Sequence, residues 1–67
     1  MPQSIKVGKS VMIYDNPISE KNLIVRGEIT HIRDSNARFG EYKLKQVQVI
    51  GGKDHFNYWL TVLSDEK

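Results

Sequence analysis

Apolar residues in this chain recur at every second position in short runs, and clusters rich in Asp, Asn, Ser and Gly separate the runs. A period of two marks a strand buried on one face, because successive side chains of an extended chain point to opposite sides. In "KSVMIY" (9–14), Val11 and Ile13 face one way and Met12 and Tyr14 the other. "DNPISEKN" (15–22) opens with the turn chemistry of Asp15-Asn16-Pro17 and predicts an eight-residue loop. "LIVRGEITHIR" (23–33) predicts a longer strand whose apolar phase changes. Leu23, Val25 and Ile29 share one phase and Ile32 has the other, so a bulge or bend is expected, with Gly27 the natural place for it. "DSNARFGE" (34–41) reads as a second polar loop, with Gly40 available for a positive φ. No window holds apolar residues at helical spacing.

The last hairpin is the most specific prediction. Gly52-Lys53, within "VQVIGGKDHFNYWL" (47–60), suits a two-residue turn with glycine first, the type II′ pattern. That closure pairs Ile50 with His55, Val49 with Phe56, Gln48 with Asn57, Val47 with Tyr58 and Gln46 with Trp59. Val47, Val49, Phe56 and Tyr58 then share an apolar face. Gln46, Gln48, Asn57 and Trp59 share a polar one. A slip of one residue would mix the two sets, which favours this register. Phe56 and Tyr58 are expected in the core, and Trp59 on the polar side. Lys45 would oppose Leu60 on the inner face, so a bulge near Lys45 or a bend after Trp59 is expected. In the second case Leu60, Val62 and Leu63 form a short closing strand.

Strand, long loop, bent strand, medium loop, strand, tight hairpin, strand and closing strand is an order that resembles an SH3-like barrel. The expected fold is therefore a small all-β, five-stranded SH3-like barrel, with an OB-like barrel as the alternative. Residues 1–67 form one domain, with 1–4 and 64–67 expected to be flexible ends.

Composition narrows the chemistry. Without cysteine the chain has no disulfide and no thiolate metal site, and two histidines exclude the usual Cys/His zinc sites. No metal or other cofactor is expected. No apolar run approaches the roughly 20 residues that span a bilayer, and the N-terminal "MPQSIKVGKS" lacks the apolar stretch of a secretory signal. A cytoplasmic location without membrane insertion is expected. His31, in a strand, has no partner close in sequence that would make a catalytic dyad, and His55, beside Asp54, is expected exposed to solvent at a hairpin tip. No phosphate-cradling or nucleophile-elbow motif occurs. The expected role is therefore non-catalytic.

Two binding readings remain. Trp59 among Gln46, Gln48 and Asn57 is an aromatic anchor in uncharged polar surroundings, the composition of an interface centre. Tyr14 and Ile18, at the first loop, would form a second wall. This predicts a small accessory or regulatory subunit docking on a larger protein, and an unpaired strand edge makes a homo-oligomer possible as well. The alternative partner is nucleic acid. "RDSNARFGEYKLK" (33–45) interleaves Arg33, Arg38, Lys43 and Lys45 with Phe39 and Tyr42, cations for phosphates and aromatics for bases. The formal charge of +2, spread along the chain, permits that reading without pointing to it.

Overall fold

The alternating runs form four antiparallel strands in a computed structural model that describes residues 2–67. They are β1 (Ser10–Asn16), β2 (Lys21–Phe39), β3 (Tyr42–Gly51) and β4 (Asp54–Leu63). Chain neighbours are sheet neighbours, in the order β1-β2-β3-β4, so every connection is a hairpin. The all-β expectation holds. The five-stranded barrel, SH3-like or OB-like, does not: the sheet is open, and the expected closing strand at residues 60–63 is the end of β4.

One face of the sheet carries the core. Val11 and Ile13 of β1, Ile29 of β2, Val47 and Val49 of β3, and Leu60 and Val62 of β4 are all buried there, with Ile5 of the N-terminal segment closing over them. Val25, Ile32 and Phe56 pack at its rim. Tyr58, expected inside, is 55% exposed, and it meets the edge of Phe56 with ring centroids 5.6 Å apart.

Both polar segments contain more strand than their composition suggested. The first connection shrinks to residues 17–20, where Asn16 Oδ1 accepts from the N–H groups of Ile18 and Ser19 at 3.1 Å each. The second segment is strand as far as Phe39, which faces Tyr42 across a Gly40-Glu41 turn with Gly40 at φ 60°. The Gly52-Lys53 turn forms as expected: Gly51 faces Asp54, and Gly52 has φ 61°.

The phase change in β2 comes from a bulge at Thr30 rather than at Gly27. Ile29 pairs with Val49 and His31 with Gln48, which leaves Thr30 over, and its hydroxyl donates to the Gln48 carbonyl at 3.1 Å. Gly27 serves another end. A Cβ there would lie 2.6 Å from the Ile50 carbonyl oxygen and 3.2 Å from Gly51 Cα, so glycine is what lets β2 and β3 approach at this crossing.

Gln3 ties the sheet's two edges. Its N–H donates to the Leu63 carbonyl at 3.0 Å, and its own carbonyl accepts from Asp65 N–H at 2.9 Å. Its side-chain amide turns the other way, to β1. Nε2 donates to the Met12 carbonyl and Oε1 accepts from Met12 N–H, both at 3.0 Å. Residues 64–66, at the C-terminal end, also continue the ladder: Ser64 N–H donates to the Lys43 carbonyl and Lys43 N–H to that of Glu66.

Candidate functional site

The register of β3 and β4 decides where Trp59 sits. Ile50–His55 and Val49–Phe56 pair as expected, but the next pair is Val47–Leu60. Gln48 alone therefore opposes Asn57, Tyr58 and Trp59, and Gln46 faces Thr61 rather than Trp59. The bulge lies at 57–59, earlier than the expected positions at Lys45 or beyond Trp59. Because it adds two residues, it leaves the alternation of faces intact. Phe56 still packs against the core and Trp59 still lies on the outer face.

On that face Trp59 has a specific partner. The Arg33 guanidinium stands 4.2 Å from the centre of the indole ring, close enough for a cation–π contact. Arg33 is held there by its Nε, which donates to Gln46 Oε1 at 2.8 Å, its neighbour across the β2–β3 ladder. Nε is thereby occupied. Gln48 Nε2 donates to the Asn57 carbonyl at 2.9 Å, which braces the bulge from β3. His31, the strand partner of Gln48, shares a 3.1 Å hydrogen bond between its Nδ1 and Thr30 Oγ1.

Four of the residues expected for protein docking (Trp59, Gln46, Gln48 and Asn57) thus meet on one patch. Tyr14 and Ile18 do not extend it. Tyr14 stands on β1, the opposite edge strand, with its hydroxyl 3.8 Å from Met12 Sδ, and Ile18 lies in the turn beyond. The five residues of the nucleic-acid alternative divide between faces. Arg33 belongs to the tryptophan patch. Phe39, paired with Tyr42, shares its parity on the outer face and is 49% exposed.

Lys43 and Lys45 share the inward parity of Val47 and Val49, and Arg38 faces Lys43. Lys45, which opposes Val62, satisfies its inward ammonium on Glu66 at 2.7 Å. That hydrogen bond and the lysine's charge, assisted by Lys43, hold the Glu66 carboxyl below its ordinary range.

Arg33 is the member of the patch that the residue pattern did not assign to it. Its place could have been found from the ladder, since a strand pairing that aligns β2 with β3 puts Arg33 beside Gln46. Among the described residues, no three His, Asp or Glu side chains gather as a metal ion would need. No helix among the described residues is long and apolar enough to cross a membrane. Comparison with protein-family models, with curated proteins and with solved structures finds no match. The reading of the patch therefore rests on its residues and their geometry.

Proposed function

We propose that this chain is a non-catalytic binding module that docks on a larger protein through the outer face of its sheet. The observation that carries the reading is the Trp59–Arg33–Gln46 unit. Trp and Arg are the side chains most enriched where binding energy concentrates, and the cost of ordering them falls when they are held in place beforehand. Here Gln46 orders the guanidinium and the guanidinium lies against the indole, so a partner meets a largely set surface. Gln48 and Asn57 supply the uncharged polar border. The division of the basic and aromatic residues between two faces counts against a single nucleic-acid surface.

The test is capture from native cell extract on immobilised chain, with and without nuclease, comparing wild type with Trp59→Ala and Arg33→Ala. The reading expects a protein retained despite nuclease and lost from both variants while their circular dichroism stays native. Retention that nuclease abolishes, or that both folded variants preserve, would overturn it.

A further inference from the structure

We propose that the bulge near the end of β2 builds a second, separate site for a small phosphate-bearing anion. Between the Asp34–Lys45 and Ala37–Leu44 pairs, β2 carries two extra residues, Ser35 and Asn36. Beside this bulge lies a depression of about 270 Å³ lined by Asp34, Asn36, Ala37, Arg38 and Lys43. The bulge is fixed from within. Asn36 N–H donates to Asp34 Oδ1 at 2.9 Å, Ser35 Oγ donates to the Leu44 carbonyl, and Ala37 N–H donates to Ser35 Oγ at 3.4 Å. Asn36 takes φ 59°, the left-handed region that asparagine tolerates better than most residues. Such bulges re-aim side chains beside functional sites.

What the bulge aims is positive charge. Arg38 and Lys43 are direct cross-strand partners, an arrangement that repels unless something negative lies between them. Among the described residues neither has a carboxylate within ion-pair distance: the bridges that form join Lys45 to Glu66 and Lys67 to Glu41. Arg38 Nη2 donates to the Glu41 carbonyl at 2.7 Å, which anchors the guanidinium and leaves most of its donors free. Two carboxylates temper the field. Asp34 lines the depression but accepts the Asn36 N–H, and Glu66 feels Lys43 but is bonded to Lys45. A guanidinium fork beside an ammonium fits the several oxygens and double charge of a phosphoryl group better than a singly charged ion. The site is independent of the docking patch, which lies on the other face of the sheet.

The experiment is an amide-resolved NMR titration of the full chain with inorganic phosphate, and in parallel with adenosine monophosphate, against sodium chloride at matched ionic strength and against adenosine. Saturable shifts confined to residues 34–38 and 43 are expected from both phosphates and from neither control. Equal affinity for the two phosphates assigns recognition to the phosphoryl group, and tighter binding of the ester adds its organic part. Arg38→Ala should weaken binding by about tenfold, the loss of one charge-assisted contact. Asp34→Asn, which keeps the oxygen that accepts from Asn36, should tighten it. Shifts that follow ionic strength alone, or identical titrations in both variants and wild type, would overturn the proposal. So would binding of a single-stranded oligonucleotide, with shifts reaching Arg33 and Phe39, where both small phosphates fail.

Discussion

Removing the Gln3 side-chain amide should loosen one edge of the sheet while leaving its core intact. In Gln3→Ala the backbone bonds to Leu63 and Asp65 remain, and the pair of 3.0 Å bonds to Met12 N–H and C=O is lost. Each such bond between neutral groups contributes roughly 1 kcal/mol net. Water reaches this partly buried edge and replaces some of the loss, so the expected destabilisation is about 1–2 kcal/mol. For a domain this small each kcal/mol moves the melting temperature by roughly 4–8 °C, which gives a fall of roughly 4–16 °C. Thermal unfolding followed by circular dichroism reads the fall. Hydrogen exchange locates it, since the Met12 amide should lose protection well before those of Val47 and Val49, which lie in the core. A second consequence follows from edge chemistry: with Met12 uncovered, β1 offers an unpaired N–H and C=O to another chain, so the variant should also self-associate more readily. A melting temperature within a degree of wild type, together with unchanged exchange at Met12, would refute the account of Gln3 as the tie between β1 and β4.

Other substitutions test the remaining parts of the fold. Gly27→Ala should destabilise by about 1–3 kcal/mol or more, because the added carbon meets the Ile50 backbone at 2.6 Å and no side chain can yield there; an unchanged denaturant midpoint would contradict this. Arg33→Ala should cost no more than about 1 kcal/mol, the size of an exposed cation–π contact, yet change the emission of Trp59, the only tryptophan. An unaltered spectrum would mean that the stacking does not persist in solution. The Lys45–Glu66 pair should make stability fall in acid. The carboxyl is lowered in the folded chain, so its contribution is present above the ordinary carboxyl range and is lost as pH falls through the lowered value. Glu66→Gln should flatten that limb of the stability–pH curve, and an identical curve would show that the pair contributes nothing to it.

The polarity pattern revealed one of the two single-residue bulges in β2, missing the one at Ile24, and it concealed the two-residue bulges, which keep parity. One extra residue flips every later side chain to the other face, so the bulge at Thr30 was visible as the phase change between Ile29 and Ile32, misplaced by three positions onto Gly27. Two extra residues restore the phase. The bulge at 57–59 therefore left Val47, Val49 and Phe56 inside and Trp59 outside under either register, and the pattern had no means of distinguishing Tyr58 from Leu60 as the partner of Val47. The same holds for Ser35 and Asn36, where the extra residues are polar and composition argued for a loop instead. Gln3 was illegible for a different reason. A single residue that bonds one edge through its backbone and the other through its amide has no period at all.

The same parity argument explains why the basic segment did not make one surface. Residues 33–45 fold back on themselves at Gly40, so partners across the hairpin share a face and chain neighbours do not. Phe39 goes outward with Tyr42, while Arg38 and Lys43 take the opposite side together. A stretch that looks like a uniform mixture of cations and aromatics is thereby sorted by the pleat into one side with Arg33, Phe39 and Tyr42 and another with Arg38, Lys43 and Lys45. The sorting leaves Arg33 as the one cation of the segment beside Phe39 and Tyr42, and creates two surfaces of different chemistry. Arg33 lies before the bulge at Ser35 and Asn36 and keeps the outer parity, and there it meets Trp59 from the far strand of the sheet. If a change on one face altered binding on the other, the sorting would not be functional; Arg38→Ala should leave protein capture intact, and Trp59→Ala should leave phosphate titration intact.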